Sequence, residues 1–398
     1  MTSRLIAVTS TGQVSGAERV LLRTLAAAVD AGWDAACLCP PGPLAAQVRA
    51  TGARHVATPD LTLGSGPRLL AALRMVLAWL RAARVLRSEA STADVVLANA
   101  LLSLPAVRLA GLASVPAVWL AHDVVVARDR LLLYRWCRRA LSLVVGVSEA
   151  VVAPLRPVSA RSGIGPVVDV VHNGVPYPVA PAHEWVEGPA PERREIVVGL
   201  NALLTPWKGQ EVLLDAVPLL DARVRVEMLG GYLPKDDEYA AGLGRSIVER
   251  GLSARVRLLG HDEDPLARMR TWSIAVSAST DPEACPLAVL EAMSLGLPVV
   301  ATDHGGSPEV LDGAGIVVAP RDASALAEAV NRLAGDPELR ARNALLGLDR
   351  VARAHRLDHQ TSALLAVLAR SAGDYRPPFG GERRRPEPAT AAAAGSST

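Results

Sequence analysis

Short unbroken apolar runs alternate with longer stretches in which apolar residues recur every third or fourth position, and this alternation occurs twice along the chain. In the first half the runs predict strands at 5–8, 35–39, 55–57, 95–98, 118–120, 143–147 and 167–171. The helical stretches lie between them. One spans 17–31, with Val20, Leu21, Leu25 and Val29 inward. A second series has strands at 195–200, 224–229, 256–259, 274–276 and 299–301, and ends in helix from 338 to about 369. Strands that are apolar at every position, each followed by a helix, imply parallel sheets covered on both faces. Residues 176–194 are rich in Pro, Ala, Gly and Glu and lack an apolar period. They read as a linker between two α/β domains.

A chain of 398 residues is too long for one ordinary core, which agrees with two domains. Basic and acidic residues number 42 and 40, a net charge of +2, so nothing global argues for nucleic-acid binding. The four cysteines, Cys37, Cys39, Cys137 and Cys285, form no Cys-x-x-Cys pair and have no nearby histidine in ligand spacing. Neither a disulfide framework nor a metal site is expected. The chain enters an apolar strand at once, and its most apolar stretch, 100–121, is broken by Pro105, Arg108, Gly111 and Pro116. Neither a signal peptide nor a membrane span is expected, and the reading is a cytoplasmic, reducing location.

The densest functional signal lies at 281–309. A loop after the strand at 274–276 leads to Pro286, expected at the first helical position, and a helix through Leu287, Val289, Leu290 and Met293 that stops at Gly296-Leu-Pro298. Free amides at a helix start suit a phosphate or a polar sugar. Glu283 precedes that start, Glu291 returns to its face one turn later, and Glu309 follows the next strand. Ligands bind at this edge of open parallel sheets. An amphipathic helix with two solvated acids is the plainer reading of the pair.

The spacing Glu283-x7-Glu291 followed by Gly305-Gly-x-x-Glu309 resembles the retaining glycosyltransferases of family 4, whose GT-B fold sets two Rossmann-like doubly wound domains facing across a cleft. Other segments are similar in the same order. Ser15-Gly-Ala-Glu18 resembles the family's Gly-Gly-Ala-Glu, with Ser15 for the first glycine, and its role near the donor phosphate carries only to Gly16. A tight turn explains the same glycine, and the spacing Gly12-x-x-x-Gly16 does not fit Gly-x-Gly-x-x-Gly, which disfavours a nicotinamide-dependent oxidoreductase. His122, after a strand, resembles the family's histidine that bonds the transferred sugar, with Asp123 beside it. Ser148 resembles a strand-end serine, which a plain helix cap also explains. Asn173-Gly-Val175 looks like the close of the first domain.

Lys208 opens a helix, where a cation opposes the dipole unless an anion lies near. The family's Gly-Arg-Leu-x-x-x-Lys-Gly agrees, but its arginine position is Leu203 here and its glycine position Ala202.

The resemblance implies domains at 1–178 and 195–353, a linker at 179–194, a helix at 354–372 crossing back, and a tail at 373–398 expected to be disordered. It also implies transfer of a sugar from a nucleotide-diphosphate donor to an acceptor hydroxyl. The implied catalytic residues are Glu283, His122 and Lys208. Gly16, Cys285, Leu287, Ala288 and Glu291 join Lys208 and Glu283 around the donor, with no cofactor or metal. An inactive sugar-nucleotide-binding relative is the alternative, because of Leu203.

The helix expected at 67–88 carries Arg74, Arg81, Arg84 and Arg87 on one side and Leu73, Val76, Leu77 and Leu80 toward the other. A solvated face explains the arginines. With Arg128, Arg130, Arg135, Arg138 and Arg139 they also suggest peripheral contact with the inner, anionic face of the cell membrane.

Overall fold

The apolar runs become strands whose two faces are both covered by helices. A computed structural model describes residues 3–62, 67–112, 114–160, 165–179, 195–233 and 236–374. In the first lobe β1 (Arg4–Val8), β2 (Asp34–Cys39), β3 (Arg54–Ala57), β4 (Val95–Ala98), β5 (Ala117–Ala121), β6 (Leu143–Gly146) and β7 (Val167–Val170) form a sheet in the order β3-β2-β1-β4-β5-β6-β7. In the second, β8 (Ile196–Asn201), β9 (Val224–Leu229), β10 (Val256–Gly260), β11 (Ile274–Ser277), β12 (Val299–Thr302) and β13 (Ile316–Val318) are ordered β10-β9-β8-β11-β12-β13. Every neighbouring pair is parallel. Each sheet reverses direction beside its first strand, the point where open α/β sheets leave a crevice at their carboxyl edges.

The lobes are joined a second time near the carboxyl end. Helix Pro337–Ala354 stops at His355, and helix Leu357–Asp374 returns to pack against Gly16–Asp30 of the first lobe. Val175 and Arg356 form a parallel bridge there, with Val175 N donating to His355 O (2.9 Å) and Leu357 N to Val175 O (2.9 Å). Gly174 is required by the close approach, since a Cβ on it would lie 2.5 Å from Arg356 O.

Several expectations change. The helix expected at 338–369 is two helices broken at the crossing, preceded by another, Ala323–Gly335, that periodicity had not marked. β13 was not expected; three residues at a sheet edge give too short a run to stand out. Pro286 is the residue before the helix, not its first: its ψ of 110° is extended, and the helix is Leu287–Ser294. In helix Arg68–Ala90 the inward residues are Met75, Ala82, Ala83 and Leu86, whereas Leu73, Val76 and Leu77 are exposed. Arg74, Arg81 and Arg84 are exposed as expected, but Arg87 turns its guanidinium onto the last carbonyls of the neighbouring helix, Ala110 O (2.6 Å) and Leu109 O (3.0 Å). The expected linker beyond residue 179 and the expected tail beyond residue 374 lie outside the described residues.

Candidate active site in the interlobe cleft

The carboxyl edges of the two sheets face one another, and the cleft between them is lined by Gly16, His122, Asp123, Leu203, Lys208, Glu283, Cys285, Leu287, Ala288 and Glu291. Residues far apart in sequence thus meet because each follows a central strand. On the second-lobe wall, Lys208 Nζ lies 2.5 Å from Glu283 Oε1 and 4.0 Å from the centre of the Trp207 ring. Ser279 donates a further hydrogen bond to the same carboxylate. Both charged side chains are largely buried, so neither is stable there without the other.

Backbone packing fixes this pair. Lys208 ends a single turn, Pro206–Lys208, and Gly209 takes the left-handed conformation (φ 73°) where a Cβ would lie 1.8 Å from Ala278 O. Thr280 N donates to Trp207 O (2.7 Å), and Thr302 Oγ1 to Ser279 O (2.9 Å). The paired glycines of the sequence motif have the same cause. Gly305 (φ 61°) and Gly306 lie against the backbone of Glu283 and Ala284, where Cβ atoms would come within 2.2 and 1.9 Å of the carbonyl oxygens. Gly306 N donates to Glu283 O (2.7 Å).

Beside Glu283, helix Leu287–Ser294 presents the amides of Leu287 and Ala288 to the cleft, and Pro286 offers none. Cys285 is buried, which pushes its thiol up to about 12 despite the backbone bond to Asn173. It stays protonated and contributes backbone. Glu291 is buried, and burial raises its pKa while Arg19 and Arg23 of the first lobe pull it down. Arg19 Nη1 lies 3.9 Å from its carboxylate across the cleft.

On the first-lobe wall, His122 sits deep in the cleft with only part of its surface reachable, and burial lowers its pKa to about 3. It is neutral at physiological pH. Its Nε2 lies 2.9 Å from Asn99 Oδ1, and Asn99 Nδ2 donates to Ala17 O (3.4 Å); this assigns the proton to Nε2 and leaves Nδ1 an acceptor. Asp123 opens to the cleft. Crowding of its carboxylate by the surrounding protein raises its pKa, and Arg130 opposes the rise. Gly16 faces Leu287 Cδ1 from the opposite lobe, 3.9 Å from where its Cβ would stand.

Glu309 is the exception. Its carboxylate contacts the first lobe at Glu149 N (2.9 Å) and His172 Nε2 (2.5 Å), away from the cleft lining. Asn173, marked in the sequence only within the segment closing the first domain, bonds Cys285 O (3.0 Å), while Ser279 and Arg19, which also partner candidate residues, were not singled out. Of these two, Arg19 alone had a visible signal, standing one helical turn after Gly16. Among the described residues no group of three His, Cys, Asp or Glu side chains is placed to hold a metal ion.

Known proteins resemble this chain in both lobes. Residues 14–177 match the family model "Glycosyltransferase Family 4" and residues 194–336 match "Glycosyl transferases group 1". A GDP-mannose-dependent alpha-(1-6)-phosphatidylinositol monomannoside mannosyltransferase of Mycolicibacterium smegmatis is 35% identical over 164 residues, 39% of this chain and 42% of that protein. A D-inositol 3-phosphate glycosyltransferase of Corynebacterium jeikeium is 34% identical over 155 residues, 37% of each. The chain thus spans about two fifths of the length of these curated relatives. Among solved structures, Anabaena Alr3699/HepE in complex with UDP-glucose superposes with a TM-score of 0.77 at 22% identity, covering 92% of this chain and 99% of that one. Sucrose-phosphate synthase from Thermosynechococcus elongatus gives 0.73 at 20% identity, covering 94% and 100%. These two likenesses concern the fold. With both lobes matched and the paired carboxylates, the Gly-Gly turn and the lysine on one cleft wall, the chain belongs to glycosyltransferase family 4, the group 1 glycosyl transferases, in the GT-B fold.

Proposed function

We propose that the protein is a retaining glycosyltransferase that moves a sugar from a nucleoside-diphosphate sugar to an acceptor hydroxyl. The observation that carries this reading is the Lys208–Glu283 pair beside the amides of Leu287 and Ala288, facing His122 across the cleft. A diphosphate entering there can take the Lys208 ammonium from Glu283 and meet the helix amides, while Glu283 turns to the sugar hydroxyls. Glu291 accepts from the ribose, and neutral His122 accepts a sugar hydroxyl at Nδ1. The bond from the anomeric carbon to the diphosphate breaks as the acceptor oxygen bonds on the same face. The acceptor's proton passes to the departing phosphate oxygen, so no protein nucleophile is needed. The residues supply placement and charge stabilisation.

Two relatives bear on the substrates. The mycobacterial enzyme is named for GDP-mannose and a phosphatidylinositol mannoside, and the Anabaena structure holds UDP-glucose. The first favours an acceptor at a lipid surface, as does the first lobe itself. Leu69, Leu70, Leu73, Val76 and Leu77 are exposed on one helix together with Arg74, Arg81 and Arg84, a combination suited to an anionic bilayer. No helix among the described residues is long and apolar enough to cross a membrane.

A catalytically silent sugar-nucleotide-binding protein is the second reading, favoured by Leu203 on the cleft wall where the family's second phosphate cation would stand. Release of nucleoside diphosphate from GDP-mannose or UDP-glucose, with products identified by mass spectrometry, separates the two. The transferase reading requires release that depends on acceptor. Binding of nucleotide sugar with no product from any acceptor would establish the silent protein instead.

A further inference from the structure

Glu309 belongs to the second lobe, in helix Ser307–Leu311, yet every side-chain contact the structure gives it is with the first. Its Oε1 accepts from Glu149 N (2.9 Å), its Oε2 from Ala150 N (3.4 Å), and His172 Nε2 lies 2.5 Å from Oε1. Two neighbouring side chains of the first lobe reach the same way. Ser148 Oγ donates to Ala284 O (2.6 Å), and Asn173 Nδ2 donates to Cys285 O (3.0 Å).

These contacts fall on two pieces of the second lobe that behave as one. Ala284 and Cys285 directly follow Glu283 in the loop that faces the cleft, and Gly305 and Gly306, which lead into the Glu309 helix, lie on the Glu283–Ala284 backbone without room for a side chain. Arg350 Nη2 donates to Glu309 O (2.9 Å), tying the helix to Pro337–Ala354, which leads into the crossing. His355 stands edge-on to His172 with ring centres 5.5 Å apart, and its Nδ1 donates to Asn173 O (3.0 Å). Burial raises the Glu309 pKa, and the bonds from His172 and the amides of Glu149 and Ala150 outweigh it, so the carboxylate stays charged.

We propose that Glu309, seated on His172 and the Glu149 and Ala150 amides, is a positioning residue: an interlobe latch that sets the cleft width and holds the Glu283 loop in register with the first-lobe wall. Its effect on turnover rests on the transferase reading above, but the closure does not. Ser148 and Asn173 grip the loop's carbonyls, and Glu309 locks the element behind it. Substrate entry and product release then require these bonds to break together. A loop displaced by about 1 Å costs roughly 100-fold in rate even where affinity survives.

Small-angle scattering of the full chain without ligand, on wild type, Glu309→Ala and His172→Ala, tests the latch. Both variants are expected to show a larger radius of gyration, and the double variant no further increase, because the two side chains act on one contact. Should Glu309→Ala fail to fold, His172→Ala decides, since that ring is partly solvent-exposed and its loss leaves the core intact. Where nucleotide-sugar turnover is measurable, kcat is expected to fall roughly 10- to 100-fold with affinity for free GDP and UDP changed less than about threefold. Wild-type scattering from both single variants would overturn the latch. An expanded variant in a protein whose wild type releases no nucleoside diphosphate would keep the latch and remove the transferase reading instead.

Discussion

The two walls of the cleft are finished to different degrees. On the second lobe, Lys208 is already bound to Glu283 and stacked on Trp207, and the loop beneath them is fixed by glycines that admit no side chain. On the first lobe, His122 is anchored through Nε2, and Asp123 and the apolar Val126 stand exposed on the same wall. A wall whose charges are placed in advance stabilises one kind of charged leaving group. On the proposed reading, a wall that is open and partly apolar is left for the acceptor to complete.

The second-lobe wall is most sensitive at Glu283 and Lys208. Glu283→Ala and Lys208→Ala are each expected to lower turnover roughly 10²- to 10³-fold, measured as nucleoside diphosphate release. Near wild-type rates in both would mean that the finished wall is only structural. Leu203→Arg sharpens the contrast from the other side. A second cation on that wall is expected to tighten donor binding roughly tenfold, one charge-assisted hydrogen bond. Unchanged affinity would show that the diphosphate does not reach Leu203.

The crossing that joins the walls should be acid-sensitive. His355 is 1% exposed, and burial lowers its pKa from 6.5 to about 4. Between those values the unfolded chain binds a proton that the folded chain refuses. Stability is therefore fully present above pH 6.5 and falls as pH drops toward 4, by about 1.4 kcal/mol per pH unit. Urea denaturation at pH 7 and pH 5 checks the slope, which His355→Gln should flatten. The smallest effect is expected on helix Arg68–Ala90 of the first lobe. Replacing Arg81 alone by Gln should weaken sedimentation with phosphatidylserine vesicles by about 1 kcal/mol. Equal binding of wild type to neutral vesicles would rule out contact with anionic lipid through the arginines of this helix.

The sequence showed the finished wall more clearly than the open one, for physical reasons. Glu283, Glu291 and the Gly-Gly turn lie within one stretch, and backbone crowding there demands particular residues. His122 was legible only through its resemblance to the family's histidine after an apolar strand, because the strand pattern alone does not distinguish it from a structural histidine. Glu309 was legible as a residue but not as a latch, since its partners Glu149 and His172 come from a different sheet and no local pattern records them. Helix Arg68–Ala90 carries more leucine and valine than one face can bury, so Leu73, Val76 and Leu77, read on the side away from the arginines, share the solvent with them. β13 was too short to stand out, and the break at His355 is fixed by Val175, far away in sequence.

On the proposed reading the cleft receives a nucleoside-diphosphate sugar on the Lys208–Glu283 wall. Calorimetric titration of wild type and Lys208→Ala with GDP-mannose, UDP-glucose and the free nucleotides tests it most directly. At least one donor should bind wild type, and Lys208→Ala should bind it roughly 10- to 100-fold more weakly, the loss of a hydrogen bond to a charged group. Equal affinity in the two proteins, or no binding of any nucleotide, would contradict the account.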